Sequence, residues 1–253
     1  MNKHFLDILE DYLGGVESLE NYGDLGKKVL DRKAGKEFSF DEHLKGMVYA
    51  LLTNQTQWSR IEPNIEKINE LFFNFNTEKV KATDYLYFEK GLRDLKCGNI
   101  SIHKQMETLH ENIKTMEKLA AKYGSMDKYV TSKSAYFIVK ELSNNNSEYK
   151  LKCMGEALVW EYLRNVGIDG VKPDTHLRRF FSSDRMGNGS SPLATEDEVI
   201  EQANQLAKST GKELWEIDDI IWEYCADGYE EICTDDPLCE ECVISEFCHK
   251  HKK

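Results

Sequence analysis

The chain has 253 residues, is 40% hydrophobic and 11% aromatic, and carries 45 acidic against 33 basic residues for a net charge of −12. Its length and apolar content suit one large core or two modest ones, and exclude a disordered tail protein. No apolar run approaches the ~18 residues of a membrane span, so no segment is expected to cross a bilayer.

The N-terminal stretch MNKHFLDILEDYLGG alternates acidic and apolar residues and lacks the basic-then-apolar layout of a signal peptide. A cytoplasmic protein is expected, in a reducing compartment where clustered cysteines point to metal or redox chemistry. From there the sequence reads as helix after helix, with only four prolines and no long period-two segment. Asp41 to Asn54 places Leu44, Met47, Val48, Leu51 and Leu52 at helical spacing. Asn64–Phe73 repeats the pattern with Ile65, Ile68, Leu71 and Phe72. Met106, Leu109, Ile113, Met116 and Ala120 mark another face, which ends near Gly124. Tyr136 to Leu142 is a short apolar helix stopped by the polar run SNNNSE, and Ala157–Val166 is a further helix with Gly167 placed as its cap. Ser191-Pro192 is expected to open one more, with Val199, Ala203 and Leu206 facing inward. Between Glu213 and Glu241 stand twelve acids and no Lys or Arg. Without them 33 acids remain, matching the 33 Lys and Arg, so a local basic face is allowed elsewhere.

Three places carry chemistry. Cys233, Cys239, Cys242 and Cys248 lie within sixteen residues, near enough for four thiolates to converge on one centre. Zinc and a four-iron cluster both accept such a set, and ligand number alone does not separate them. Cys97, Cys153 and Cys225 fall outside this spacing and read as small buried hydrophobes. Lys152, Cys153, Met154 and Gly155 read as a tight turn leading straight into a helix, whose unpaired amides make a phosphate site without any net positive charge. Asp174, following Pro173, reads as the N-cap of the next helix.

Together with Pro237 and the stretch VISEF, this cysteine loop resembles the iron–sulfur loop that closes the endonuclease III-like branch of the helix-hairpin-helix (HhH-GPD) DNA glycosylases. The segment LKCMGEALVWEYLRNVGIDGVKPDTHLRRFF, residues 151–181, is similar to that family's hairpin, second helix and catalytic-aspartate segment. MVYALLTNQTQWSRI, residues 47–61, is similar to its helix ending in Leu-Leu-Ser-x-Gln-Thr, and LKCGNISIHKQMETL to its Gly-x-x-x-x-Lys helix entry. The resemblance spans roughly residues 40–250. It departs from the family at Cys153, where a first glycine is usual, and in the first cysteine gap, which is one residue short.

The resemblance implies an all-α fold of two helical lobes with a DNA-binding cleft and a helix-hairpin-helix motif. The lobes would be a helical barrel over 43–150, and residues 1–42 with 151–253 as the lobe holding hairpin, aspartate and cluster. Asp174 would be the catalytic carboxylate and Gln55 the residue inserted beside a flipped nucleotide. Lys152, Cys153, Met154, Gly155 and Arg178 would contact DNA; Arg178 and Arg179 read equally well as partners of nearby acids. Trp58 reads as core or as a stacking residue. The four loop cysteines would hold a 4Fe-4S cluster. Bifunctional members carry a lysine at the position of Ala157, which has no nucleophile, so a monofunctional base-excision glycosylase acting on double-stranded DNA is expected. It would work as a monomer, nucleoid-associated in a prokaryote. The chain ends five residues after Cys248, which leaves no room for the further domain of adenine-mismatch glycosylases, so that substrate is not expected. A bifunctional glycosylase/lyase, a silent scaffold that kept the fold, and a zinc-stabilised helical module are the rival readings.

Overall fold

In the computed structural model, which describes residues 4–14 and 24–250, fifteen α-helices follow one another and no β-strand occurs among the described residues. The first two are α1 (Phe5–Tyr12) and α2 (Leu25–Lys33). Next come α3 (Phe40–Leu52), α4 (Trp58–Ile61), α5 (Ile65–Leu71), α6 (Thr77–Ala82) and α7 (Tyr85–Asp94). They are followed by α8 (Ile102–Glu107), α9 (Leu109–Tyr123), α10 (Met126–Val130), α11 (Ala135–Ser143) and α12 (Glu156–Arg164). The last three are α13 (Thr175–Phe180), α14 (Glu196–Thr210) and α15 (Leu214–Cys225). Among the described residues, no helix is long and apolar enough to cross a membrane.

The chain forms two compact units, one of Met1–Leu30 with Asp169–Lys253 and one of Asp31–Ile168. The lobes implied by the resemblance put residues 151–168 with the C-terminal third; by packing they lie in the unit of Asp31–Ile168, because α12 rests on α3. Gly46 makes that approach close, since a Cβ there would stand 3.2 Å from the side chains of Asn165 and Val166.

Within Asp31–Ile168, α3 is the central element. Ser39 opens it with a capping box to Glu42, and nine of its thirteen residues are buried. Around it Phe72 stacks on Phe75 and Phe88, at ring separations of 5.3 and 4.6 Å. One buried polar network crosses the unit. Arg32 grips Asp127 with both guanidinium nitrogens, at 2.6 and 3.2 Å. Asp127 meets His43 Nε2 at 3.2 Å, and Tyr162 meets His43 Nδ1 at 2.7 Å. With the carboxylate ionised, Nε2 carries the proton and Nδ1 accepts from the tyrosine. α9 ends at Gly124, which takes a left-handed conformation as the sequence suggests. The face expected from Met106 to Ala120 is broken at Thr108, which separates α8 from α9.

In the other unit, Leu6 and Leu9 of α1 join Leu177, Phe180, Val199, Ala203, Ile217, Ile220 and Ile221 in one core. α14 begins at Glu196 rather than at Ser191-Pro192. The reason is a stronger cap: Thr195 accepts from the Glu198 amide, and the Glu198 carboxylate returns to the Thr195 amide at 2.7 Å and to that of Ser190 at 3.0 Å.

Candidate functional site

Within Asp31–Ile168 two loops stand out. The first is the hairpin before α12. Lys152 is exposed, Cys153 half-buried with φ +59, Met154 buried and Gly155 exposed. Gly155 is the N-cap of α12 and offers no side-chain acceptor, so the amides of Glu156 and Ala157 have no acceptor among the described residues. Its backbone (φ −81, ψ 179) is open to any residue, and a Cβ there would meet nothing within 4 Å. Neither backbone nor packing within the unit asks for a glycine at this point. Glu156, in the first helical turn, is paired with Lys140 at 2.7 Å. Ala157 presents no polar side-chain atom there.

The hairpin is held from below. Asn112 of α9, fully buried, accepts from the Lys152 amide at 2.6 Å and donates to the Lys152 carbonyl at 3.1 Å. Thr108 Oγ1 lies 3.6 Å from Cys153 Sγ, and the Lys150 ammonium donates to the Met154 carbonyl. Burial pushes the Lys150 pKa down.

The second loop carries Gln55. α3 stops at Leu52, and Gln55 sits exposed in the following turn with φ +54. The Leu51 carbonyl accepts from the Asn54 amide at 3.2 Å, from Asn99 Nδ2 at 3.3 Å and from Gln105 Nε2 at 3.0 Å. Next to Asn99 stands Ile100, an aliphatic side chain 88% exposed. Sequence reading missed Ile100, Asn112 and Gln105; a lone apolar residue in a polar loop was the only available signal, for Ile100. Trp58 is half-buried, edge-on to Tyr49 at 6.5 Å.

In the other unit Asp174 caps α13. Its Oδ1 accepts from the amides of His176 (2.9 Å) and Leu177 (3.3 Å), while Oδ2 lies 4.0 Å from Lys172 Nζ. One oxygen is therefore fixed by the helix and the other carries no helix bond. Arg178 Nε donates to the Ala194 carbonyl at 2.7 Å, and the buried Arg179 pairs with Asp235 at 2.5 Å. His176 stands edge-on to Trp222, with Nδ1 buried and unpartnered among the described residues.

Of the loop cysteines, Cys233 and Cys248 are buried and Cys239 and Cys242 half-buried. Among the described residues no three His, Cys, Asp or Glu side chains are gathered as a metal site. The thiols still feel one another: burial pushes the Cys242 thiol up, and the charges of Cys233 and Cys248 add to the shift. Cys225, set aside by spacing, donates to Cys233; with Arg185 and Arg179 nearby, this brings the Cys233 thiol down to about 7 against the effect of burial. Arg185 reaches Cys233 Sγ at 3.6 Å and the Thr234 carbonyl at 3.3 Å, while its own carbonyl accepts from the His249 amide at 2.8 Å. In donor type, four thiols on one loop with cationic neighbours, the residues suit a thiophilic metal or an iron–sulfur cluster.

No family model matches the chain, and no curated protein matches it. Among solved structures it is similar to the Methanocaldococcus jannaschii 8-oxoguanine glycosylase/lyase in complex with a 15mer DNA containing 8-oxoguanine. The two share 19% identity with a TM-score of 0.58, over 87% of this chain and 95% of that one. At that identity the match shows a shared all-α fold.

Proposed function

We propose that the chain is a base-excision DNA glycosylase that flips one damaged or mispaired base from a duplex and hydrolyses its N-glycosidic bond. The observation that carries the reading is Gly155. An uncapped helix start with free amides and open space above the glycine is a place for a phosphate to come close to the backbone. The fold shared with a glycosylase/lyase bound to lesion DNA supports it.

Asp174 supplies the charge. As the bond from C1′ to the base breaks, positive charge grows on the deoxyribose, and the carboxylate held by two helix amides stabilises it. The oxygen outside the cap orients the attacking water. Water bonds to C1′, the base leaves with the pair of electrons and a proton, and an abasic site remains. With Ala157 in the first helical turn no amine is offered for a Schiff base, which favours the monofunctional reaction. Gln55 and Ile100, both exposed on loops fastened to each other, supply an amide and an apolar wedge for the space that a flipped base leaves.

Cys233, Cys239, Cys242 and Cys248 would hold a 4Fe-4S cluster, which when bound cross-links the loop as a structural centre. Arg185 stabilises the thiolate of Cys233 by hydrogen bond and charge.

An excision assay over a panel of lesion duplexes tests the reading, with 8-oxoguanine in first place because the similar solved structure contains it. Asp174→Asn should bind lesion DNA but lose at least about a hundredfold in excision rate. Undiminished excision by that variant would sink the assignment. Borohydride should trap no covalent enzyme–DNA adduct; a trapped adduct would make the enzyme a glycosylase/lyase. Iron and the broad visible absorption of a cluster should accompany the pure protein, and zinc without iron would replace the cluster reading.

A further inference from the structure

Both loops of the unit Asp31–Ile168 are held by the same short stretch of chain. Residues 99–112 contain three buried carboxamides, Asn99, Gln105 and Asn112. A buried amide is costly unless it is fully bonded, so where these point is informative. Asn99 Nδ2 donates both to the Leu51 carbonyl (3.3 Å) and to Gln105 Oε1 (3.1 Å), and Gln105 Nε2 donates to the same Leu51 carbonyl (3.0 Å). Those bonds fix the end of α3, four residues before Gln55. Asn112 makes a two-way pairing with the backbone of Lys152, and Thr108 sits against Cys153. The two loops so held each contain a non-glycine residue with left-handed backbone, Gln55 (φ +54) and Cys153 (φ +59). Such residues persist only where the surroundings hold them.

We infer that residues 99–112 are a positioning strap, in which Gln105 sets the Gln55 turn and Asn112 sets the hairpin, so that base insertion and phosphate gripping are aligned by one rigid segment. None of the strap's carboxamides touches DNA in this scheme; each acts through a loop backbone. The inference rests on the base-excision reading for its consequence and on geometry alone for its mechanism.

Two near-isosteric variants separate the functions. Gln105→Met should reduce base flipping about tenfold while leaving duplex affinity within about threefold, because displacement of a positioned group is felt mainly at the step it serves. Flipping is read by 2-aminopurine fluorescence in a duplex carrying a tetrahydrofuran abasic analogue. Asn112→Leu should weaken binding of the same duplex about tenfold and lower the slope of log K against log salt by about one, the loss of one phosphate contact. Asn112→Asp keeps the acceptor for the Lys152 amide and should fall between wild type and Leu; it also serves if the Leu variant does not fold. Hydrogen exchange supplies a readout independent of DNA: the amides of 53–56 should quicken in the first variant, and those of 152–155 in the second. Equal loss of flipping and affinity in both variants, or unchanged exchange at both loops, would overturn the strap. If the wild type binds no duplex, the base-excision reading falls, and exchange alone still decides whether the strap sets the loops.

Discussion

A cysteine at φ +59 bears a steric cost of about 1–2 kcal/mol, because its Cβ crowds the neighbouring carbonyl. Glycine at position 153 would remove that cost and return about 0.5–1 kcal/mol of it through the larger freedom of the unfolded chain. Cys153→Gly is therefore expected to stabilise the protein by about 0.5–1 kcal/mol, seen as a higher urea midpoint with unchanged slope. A lower midpoint would mean that the contact between Cys153 and Thr108 outweighs the strain. The sequence marks position 153 as unusual because a particular residue type stands where glycine is usual. It does not reveal Asn112 or Gln105. A polar residue within an apolar stripe reads as a surface position until the backbone it bonds is known, and here that backbone lies 40 and 54 residues away. Asp174 was legible as a cap from its own neighbours, since capping is local.

Helices were legible wherever the signal lies within a turn or two: Gly124 stops α9 as expected, and the stripe from Leu44 to Leu52 lies in α3, although its start at the Ser39 cap was not read. The start of α14 was misplaced because proline marks a permitted first position, whereas the capping box of Thr195 and Glu198 fixes the actual one. Thr195→Ala should accordingly destabilise its unit by about 1 kcal/mol in chemical denaturation. Between elements, the network of Arg32, Asp127, His43 and Tyr162 ties α2, α10, α3 and α12 together. Burial holds the His43 pKa below its ordinary value, despite the neighbouring Asp127. In the unfolded chain this histidine takes up a proton near pH 6.5, and in the folded chain only at lower pH. Its contribution is thus fully present above about pH 6.5 and is lost as the pH falls through the region below. The Asp127 carboxyl, pushed up by burial but pulled further down by hydrogen bonds from His43 and Arg32, adds a second loss as pH falls below its ordinary range near 4. His43→Gln should flatten the stability profile in the region below about pH 6.5; an unchanged slope there would remove His43 as its origin.

For the molecule as a whole, a net charge of −12 works against binding a polyanion. The hairpin reading escapes that objection because backbone amides and a helix start carry partial charges of fixed position. Duplex affinity is still expected to fall steeply between about 50 and 200 mM salt, and a flat profile would mean that phosphates are not held. The all-α architecture was legible from periodicity. The division into units was not, because it depends on which surface α12 covers. Cys225 was likewise set aside by spacing and stands against Cys233 in space. Replacing Cys239 and Cys242 by Ser should leave helical content intact and quicken amide exchange only over about residues 233–248, since the core of that unit is built mainly from α1, α13, α14 and α15. Arg185 bears on how such a loop is held. By touching Cys233 and Thr234 with its side chain and His249 with its carbonyl, it ties the two ends of the loop through protein bonds alone. Closing a span of about 15 residues from open chain costs about 3 kcal/mol in lost freedom. Here the Arg185 contacts meet that cost from within the chain, so the two ends of the loop are expected to stay joined without help from the thiols between them. Arg185→Ala should therefore loosen both ends together, seen as faster amide exchange at 234 and at 249 in the same variant.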